Sequence, residues 1–324
     1  MDTQKLNLKI HSISCEAKDT LMLELRDGKA GSLPEFSAGS HLEIYLKNGL
    51  IRHYSLLNAP SERNRYVIAV SLDANSKGGS EFIHQKLRVG DMLTVSVPRN
   101  NFSLVDAEQY CFVAGGIGIT PLLSMIHWCI AHQKKWRLYY SVRNRQRAAF
   151  YECLQEIAQN YGQNIHFHFN DEHLQLLDLL EIVSTTDACE HIYCCGPNPL
   201  MNALKEASAG ISERVHFEWF TSPEVKKAVA LTESEESSFT VKLAKSRQEI
   251  IVRSGQSILE AIEETGLEVP FSCRAGICRA CECKVLQGQP EHLDLILNDV
   301  EKASNQSMLI CVSRARSKVL ELDI

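Results

Sequence analysis

Four cysteines near the end of the chain constrain its fold more than any other feature. Cys273, Cys278 and Cys281 follow the spacing C-x4-C-x2-C, and Cys311 comes about thirty residues later. This is the plant-type ligand spacing for a 2Fe–2S cluster, in which one tight loop supplies three thiolates and a separate segment supplies the fourth. A zinc site usually pairs two C-x2-C knuckles or adds histidines, and the sequence has neither pattern. The spacing therefore predicts a protein that carries electrons.

The composition of the 324-residue chain argues against several classes of partner. A net charge of −6 gives no reason to expect binding to nucleic acid or to an anionic membrane. The N-terminal residues form no apolar signal region, so disulfides are not expected despite twelve cysteines. Eight of the cysteines are predicted to be reduced core residues of a cytoplasmic protein. These are Cys15, Cys111, Cys129, Cys153, Cys189, Cys194, Cys195 and Cys283.

One long uncharged segment has the length of a membrane span. Residues 110–132 contain no Asp, Glu, Lys or Arg. Glycines and a proline interrupt this segment, and Thr120 followed by Pro121 is typical of a helix N-cap and first helical residue. The segment is therefore predicted to be a buried strand, a glycine turn and a buried helix from Pro121, with no insertion into a membrane.

The pattern along the chain predicts a multidomain fold of β, α/β and α+β parts. Residues 1–104 alternate short β-rich runs with turn residues, which favours a small antiparallel barrel. Residues 105–224 alternate strand-like and helical stretches, as parallel βαβ units do. Residues 225–238 are mostly polar and are predicted to be a linker. Residues 239–324 contain two strands, a helix, the cysteine loop and a closing strand.

A glycine turn precedes the first helix of the α/β region. Gly115, Gly116 and Gly118 would let the backbone approach a diphosphate, and the helix N-terminus would offer free N–H groups. The turn departs from the usual G-x-G-x-x-G fingerprint because Pro121 replaces its last glycine, and a purely structural tight turn is the alternative. The run Cys195-Gly196-Pro197 follows a later strand, so both loops could face one crevice at the same sheet edge.

The motifs in this order resemble the ferredoxin–NADP reductase superfamily, and within it the phthalate dioxygenase reductase family. Arg52-His53-Tyr54-Ser55 resembles the R-x-Y-S flavin motif of that superfamily. The glycine turn with Thr120-Pro121 and the run Cys195-Gly196-Pro197 resemble its nicotinamide-domain signatures. The resemblance covers essentially the whole chain. It implies an antiparallel flavin-binding barrel, a parallel-sheet nicotinamide-binding domain and a C-terminal β-grasp ferredoxin domain.

The resemblance implies roles for the flavin motif. Arg52 would hold the flavin phosphate with its planar guanidinium, Tyr54 would form a wall against the isoalloxazine, and Ser55 would bond near the reactive N5 edge. Further flavin contacts are implied at His53 and at the phosphate loop Lys77, Gly78, Gly79 and Ser80. FMN is expected because close family members use it, and FAD is the alternative.

The resemblance also implies residues on the nicotinamide side. Phe220 matches an aromatic residue that stacks on the flavin and moves to admit nicotinamide, and the implied catalytic positions are Ser55, Cys195 and Phe220. Nucleotide contacts are implied at Gly115, Gly116, Gly118, Thr120, Pro121, Cys195, Gly196 and Pro197. Family precedent favours NADH. NADPH stays open because Arg143, Arg145 and Arg147 could receive a 2′-phosphate and no clear carboxylate is evident beside them.

One residue of the cysteine loop departs from the family pattern. Arg279 stands where the family usually has glycine, which leaves open the local backbone conformation and the potential of the cluster. Alternatively, Arg279 points outward and contributes to docking. Cys283 is expected to be a buried thiol on the next strand. His166 and His168 could share one face of a strand, but no third ligand is evident and they are assigned no role.

Taken together, the motifs predict an NAD(P)H-dependent flavin iron–sulfur oxidoreductase. The resemblance implies that electrons pass from the nicotinamide nucleotide through FMN and a 2Fe–2S cluster, held by the four cysteines, to a Rieske-type oxygenase component. The alternatives are a reductase for a diiron monooxygenase or another acceptor, and a redox sensor or electron carrier that bears flavin. A zinc-binding interaction module is a more remote alternative.

Overall fold

The computed structural model describes residues 4–29, 31–74, 76–162, 164–173, 175–221 and 238–324. It divides into two compact units, Asp2–Phe220 and Thr221–Ile324. The first unit holds the predicted barrel and α/β regions, and the second holds the cysteine loop. Apart from its last residue, the predicted linker 225–238 lies outside the described residues.

The first unit begins with an antiparallel barrel. Its strands are β1 (Lys5–Ala17), β2 (Thr20–Asp27), β3 (Ser40–Tyr45), β4 (Ile51–Ser55), β5 (Tyr66–Ser71), β6 (Met92–Ser96) and β7 (Arg99–Asn100). The strand order is β4-β3-β6-β1-β2-β5, and β7 pairs with β3. Beyond β4, the N–H of Leu57 donates to the carbonyl of Val67 on β5 at 3.0 Å, which joins the two ends of this order. The predicted antiparallel barrel is confirmed.

Alternating apolar residues explain the barrel core. Leu8 and Ile10 of β1 and Leu42 and Ile44 of β3 are buried, as expected where every second side chain of a strand faces inward. Helix α1 (Gly79–Lys86) buries Ile83 in the same core. The sequence pattern missed this helix because its eight residues carry little apolar periodicity.

The second half of the first unit is a parallel α/β sheet. Its strands are β8 (Gln109–Gly115), β9 (Lys135–Val142), β10 (Asn164–Phe169), β11 (Glu190–Cys195) and β12 (Val215–Glu218), in the order β10-β9-β8-β11-β12. Its helices are α2 (Ile119–Ala131), α3 (Tyr151–Tyr161), α4 (Leu179–Ser184) and α5 (Asn198–Ala207), with 3-10 turns at Gly116–Gly118, Arg145–Arg147 and Ala209–Arg214. The order reverses between β8 and β11, which is where open α/β sheets bind ligands.

The start of α2 corrects one prediction. The helix begins at Ile119, with Gly118 as its N-cap, so Thr120 and Pro121 lie inside its first turn. The hydroxyl of Thr120 donates to the carbonyl of Ile117 at 3.0 Å and caps no helix N–H. The 3-10 turn over Gly116–Gly118 leads directly into the helix, which moves its start towards the glycines.

The second unit is a mixed sheet covered by a helix. Its strands are β13 (Phe239–Leu243), β14 (Gln248–Val252), β15 (Glu282–Gln287), β16 (Pro290–Glu291), β17 (Ser307–Leu309), β18 (Arg314–Ala315) and β19 (Val319–Leu322), and its helices are α6 (Ile258–Glu263) and α7 (Asp299–Ser304). The order is β14-β13-β19-β15-β17, and β16 pairs with β18. Ser257 and Glu260 form a capping box that begins α6, whose Ile258 and Ile262 are buried in the core. This is the predicted β-grasp arrangement.

The environments of the cysteines confirm one prediction and correct another. Cys283 is a buried thiol on β15, as expected. Cys15, Cys153 and Cys189 are exposed and are not core residues. Cys153 is exposed on α3, whose buried residues are Leu154 and Ile157, so its apolar surroundings in sequence did not indicate burial.

Across the described residues, helices capable of spanning a membrane are absent. The uncharged segment 110–132 forms β8, a 3-10 turn and α2, all largely buried. Its apolar character therefore reflects burial within the first unit.

Candidate functional site

Strand β4 carries the predicted flavin motif and is tied to the start of α1. Arg52 donates from one guanidinium nitrogen to the carbonyl of Ile51 at 2.8 Å and from the other to the carbonyl of Lys77 at 3.2 Å. A Cβ atom on Gly79 would overlap the Arg52 side chain. Glycine at this position therefore lets the arginine lie against the predicted phosphate loop.

The predicted phosphate loop turns sharply into helix α1. Gly78 has a φ of +85° and is the N-cap residue, without a side-chain cap. The Ser76 hydroxyl accepts from Gly78 N–H at 3.1 Å and bonds the Ser80 hydroxyl at 3.0 Å. The Ser76 hydroxyl also accepts from the Glu81 N–H at 3.4 Å. A helix N-terminus beside a guanidinium is suited to a phosphate group, so these residues fit the terminal phosphate of FMN.

The four residues of the flavin motif divide between the two faces of β4. Arg52 and Tyr54 share one face, and burial raises the pKa of the Tyr54 hydroxyl to about 12, so it stays protonated. His53 faces Glu43 and stacks on His41 at 5.3 Å. These contacts are those of a packing residue, so His53 is not brought together with Arg52.

Glu218 is a functional candidate to which the sequence analysis gave no role. The Ser55 hydroxyl at the end of β4 donates to the Glu218 carboxyl at the end of β12, 3.3 Å away. Burial raises the pKa of Glu218 to about 8, against a lowering by the Ser55 hydrogen bond. Near neutral pH this carboxyl holds a proton beside Ser55. Its signal in the sequence was one acidic residue at the end of the last strand of the α/β region.

The two predicted nucleotide loops meet at the carboxyl edge of the sheet. A Cβ atom on Gly118 would overlap the backbone of Cys195, and one on Gly196 would lie 2.9 Å from the backbone of Gly115. A Cβ on Gly115 would lie 2.6 Å from the Pro197 ring. The glycines thus permit a close backbone approach and leave a turn that fits the diphosphate of a nicotinamide nucleotide.

Cys195 and Phe220 occupy different environments. Cys195 is fully buried, and burial raises the pKa of its thiol well above the usual range, so it remains a neutral thiol next to Glu218. The side chain of Phe220 is 39% exposed, whereas Trp219 before it is buried. An exposed aromatic ring at this position is compatible with the predicted movable cover of the flavin. Its role stays a prediction.

The arginines after β9 are paired with carboxylates from elsewhere. Arg145 donates twice to Glu172, at 2.6 and 2.8 Å, and its guanidinium lies over the Phe169 ring. Arg147 pairs with Asp19 at 2.6 Å. The sequence analysis missed Glu172 because this residue follows β10, the next strand of the sheet. Two of the three arginines are therefore neutralised where an adenosine ribose would lie.

The four predicted cluster ligands gather in the second unit. Hydrogen bonds from Cys278 and Cys311 lower the pKa of the Cys273 thiol, and one from Cys311 lowers the pKa of Cys281. The Ala275 N–H also donates to the Cys273 sulfur at 3.3 Å. Thiolates supported in this way are the form that binds iron. The three sulfurs of the loop and the fourth from beyond β17 thus lie close together, and their role as cluster ligands stays a prediction.

The described part of the chain contains no group of side chains placed to hold a single metal ion. Within the described ranges, no three His, Cys, Asp or Glu side chains are arranged to hold one metal ion. The ligands of a two-iron cluster are divided between two metals, so they need not surround one point. His166 and His168 stack instead on Tyr139 and His173.

The backbone of the cysteine loop at Arg279, where the family usually has glycine, retains a conformation typical of glycine. Arg279 has a φ of +58°, the left-handed conformation that favours glycine. Its guanidinium bonds Glu301 at 2.7 Å and Glu282 at 3.3 Å. The backbone thus keeps the conformation that glycine would adopt. The side chain is bound by carboxylates of its own unit, and a contribution of Arg279 to docking stays a prediction.

Comparisons with known proteins agree with these two halves. Residues 112–206 match the oxidoreductase NAD-binding domain, and residues 241–316 match the 2Fe-2S iron-sulfur cluster binding domain. Tetrachlorobenzoquinone reductase of Sphingobium chlorophenolicum is 42% identical over 324 residues, with 98% of each chain covered. Phenoxybenzoate dioxygenase subunit beta of Ectopseudomonas oleovorans is 40% identical over 321 residues, covering 98% of this chain and 97% of that protein.

Solved structures extend the likeness to the whole fold. The structure of phthalate dioxygenase reductase, described as a modular structure for electron transfer from pyridine nucleotides to [2Fe-2S], matches with a TM-score of 0.72 and 36% identity. The match covers 99% of this chain and 98% of that one. An intact type IV self-sufficient cytochrome monooxygenase matches with a TM-score of 0.89 and 35% identity, but this chain spans 41% of its length.

Proposed function

This chain belongs to the phthalate dioxygenase reductase family, and from that premise we propose that it is the reductase component of a Rieske-type oxygenase or demethylase. It is an NADH-dependent flavin iron–sulfur oxidoreductase that uses FMN and a 2Fe–2S cluster. When bound, the nicotinamide supplies two electrons together, and the flavin passes them singly to the cluster. The convergence of the four cysteine sulfurs carries the proposal.

The residues of the first unit would hold and orient the two nucleotides. Arg52 and the N-terminus of α1 would bind the FMN phosphate, and the loops around Gly115 and Gly196 would bind the nicotinamide diphosphate. Ser55 and Glu218 would keep a shared proton beside the flavin, and Cys195 would pack there as a neutral thiol. Catalysis would then consist of positioning and exclusion of water, with no side chain acting as nucleophile.

Electron flow to a Rieske centre would be favourable. Plant-type clusters lie near about −400 mV, while Rieske centres span roughly −150 to +300 mV. The protein similar in structure is named as the reductase of a phthalate dioxygenase, which supports an oxygenase as acceptor. The Rieske type of that oxygenase is our proposal. A cytoplasmic location would suit a chain in which none of the twelve cysteines forms a disulfide.

A direct test is reduction of purified oxygenases under anaerobic conditions. The full chain, NADH and a panel of Rieske and diiron oxygenases would be mixed, and reduction of each metal centre followed by its absorbance. We expect at least one Rieske oxygenase to be reduced at a catalytic rate. Reduction of diiron oxygenases alone would contradict the Rieske assignment. Failure of NADH to reduce the flavin would contradict the reductase function altogether and favour a sensor.

A second candidate function is reduction of a small quinone. The relative that is 42% identical is named tetrachlorobenzoquinone reductase. A quinone could take electrons from the flavin without the cluster, whereas an oxygenase needs the cluster as its electron donor. Cys281→Ser should therefore abolish oxygenase reduction and keep NADH-to-flavin reduction. The quinone function is favoured over the oxygenase function if two results hold together. Cys281→Ser reduces the quinone at the wild-type rate, and the wild-type chain reduces no oxygenase.

A further inference from the structure

Arg279 combines an unfavourable backbone conformation with an extensive set of contacts. It lies between the cluster ligands Cys278 and Cys281, and its φ of +58° is one that side-chain-bearing residues rarely adopt. Such a conformation persists only where the surrounding structure fixes it. Its side-chain contacts indicate what fixes it.

Three acceptors bind the Arg279 guanidinium. One nitrogen donates to the Glu301 carboxylate at 2.7 Å and to the carbonyl of Ile296 at 3.2 Å, and another donates to Glu282 at 3.3 Å. The side chain is 28% exposed, so these bonds are partly shielded from water. Charge-assisted hydrogen bonds of this kind are stronger than neutral ones.

Two of the three acceptors, Ile296 and Glu301, belong to the segment that leads to the fourth ligand. Glu301 lies in α7 and closes its capping box with Asn298, at 2.8 and 2.9 Å. Glu282 opens β15 and also accepts from the Ser307 hydroxyl at the start of β17, at 2.6 Å. Strand β17 runs directly towards Cys311. The network therefore joins the loop of three ligands to the segment that delivers the last one.

We propose that Arg279 is a positioning residue that holds residues 296–307 against the cysteine loop, and thereby sets how firmly the 2Fe–2S cluster is retained and at what potential it is reduced. The proposal rests on the cluster assigned above. Arg279 acts through Glu301 and Glu282 and need not touch the cluster. Removal of its positive charge leaves the carboxylates of Glu301 and Glu282 without their shared cation beside the cysteine loop, which disfavours the added electron.

The same loop offers a matched control. Arg274 also has a positive φ, +52°, and is bound by a carboxylate, Glu263, at 2.6 and 3.0 Å. Its partner lies in α6, which a backbone bond from Leu259 to Ile310 already ties to the fourth-ligand segment at 3.0 Å. Loss of the Arg274 pair should therefore matter less than loss of the Arg279 pair.

The first measurement is the rate at which the full chain releases iron to a chelator under anaerobic conditions. Arg279→Gly removes the side chain without backbone strain, and we expect roughly tenfold faster release because a charge-assisted network is lost. Arg279→Lys keeps the charge and should recover much of the retention. Arg274→Gly should stay within about twofold of the wild type. Equal rates for Arg279→Gly and the wild type, or for Arg279→Gly and Arg274→Gly, would overturn the proposal.

The second measurement is the midpoint potential of the cluster, from a redox titration followed by EPR. Arg279→Gly should shift the potential downward, and Glu301→Gln, which removes a negative charge, should shift it upward. A purely structural effect would not give opposite signs, so shifts of the same sign would contradict the electrostatic part. Iron bound to the wild-type chain would support the cluster assignment independently of the variants. Absence of iron from the wild-type chain would contradict the proposed function and not only the role of Arg279. Glu301→Gln also keeps the test valid if Arg279→Gly does not fold.

Discussion

The nucleotide loops and the cluster loop both need sharply turned backbone, and they obtain it with different residues. In the nucleotide loops the turning residues are glycines, because Gly118 and Gly196 lie where any Cβ would strike another backbone segment. The cluster loop has one such glycine, Gly276, but places arginines at two other left-handed positions, Arg274 and Arg279. Each arginine compensates for its conformation with an ion pair. In the nucleotide loops the lack of room for a Cβ atom requires glycine. In the cluster loop an ion pair of the side chain stabilises arginine in the left-handed conformation.

This difference has a consequence for how each region tolerates change. Where space is limiting, a single methyl group displaces the backbone that faces the ligand. Where an ion pair holds the residue, truncation of the side chain removes the backbone strain but also removes the bond to the segment that carries the carboxylate. That segment is then held less firmly. Three substitutions in the first unit, taken in order of expected effect, test this reasoning.

Gly118→Ala should have the largest effect. Its Cβ would overlap the carbonyl of Cys195, so the two nucleotide loops would be forced apart. We expect kcat/KM for NADH to fall by about 100-fold or more, since small displacements of a binding site cost this much. Stopped-flow reduction of the bound flavin by NADH is the measurement.

Gly162→Ala is the matched control for that experiment. Gly162 is the C-cap residue of α3, outside the nucleotide loops, and has a positive φ of +60°, but a Cβ there would meet nothing within 4 Å. The cost should be backbone strain alone, about 1 kcal/mol, and NADH binding should change little. If both variants lose activity equally, limited space does not explain the glycines of this region.

Glu172→Gln should have an intermediate effect on nucleotide use, because it removes the ion pair between Glu172 and Arg145 in the α/β region. Hydrogen bonds from Arg145 lower the pKa of Glu172, so the carboxylate is ionised and occupies the guanidinium at neutral pH. Loss of its charge would leave Arg145 available for a 2′-phosphate. We expect the ratio of kcat/KM for NADPH over NADH to rise roughly tenfold, from steady-state assays with each nucleotide.

An exposed carboxylate elsewhere in the first unit provides the control for nucleotide preference. Asp106→Asn removes the partner of Lys134 and should leave the ratio unchanged. An unchanged ratio in Glu172→Gln as well would mean that the adenosine ribose lies elsewhere and that the Arg145 pair serves only to fasten the loops after β9 and β10.

The third substitution, Glu218→Gln, should change the pH dependence of stability. The folded-state pKa of about 8 lies above the usual value for a carboxyl group, so the folded protein binds this proton more tightly than the unfolded chain does. Stability from this source is present at low pH and is lost as pH rises from about 5 through 8, by at most about 1.4 kcal/mol per pH unit. The variant should lack this decline.

Urea unfolding followed by flavin fluorescence, between pH 5.5 and 8.5, would measure that difference. Glu213→Gln, whose side chain is 71% exposed, is the control and should follow the wild type. Parallel pH profiles for the wild type and Glu218→Gln would show that the carboxyl is already ionised in the folded protein. In that case it holds no proton beside Ser55.

Features that depend on near neighbours in sequence were predictable, and features that depend on distant ones were not. The cysteine spacing and the glycine turn lie within about ten residues, so local patterns indicated both the cluster loop and the nucleotide loops. Glu218 meets Ser55 across 163 residues, and Glu172 meets Arg145 across 27. No local pattern reports such a pairing, because the strand order of the sheet creates it. Arg279 was noticed as a departure, but its partner Glu301 became visible only in the fold.

The three exposed thiols have a practical consequence for handling the protein. Cys15, Cys153 and Cys189 stand at the surface outside the cluster loop. On storage in air, two molecules can become crosslinked through them, and a covalent dimer on a non-reducing gel would then record ageing of the sample. Replacing all three with serine would leave the iron-binding cysteines unchanged. The oligomeric state of this variant could then be measured by light scattering.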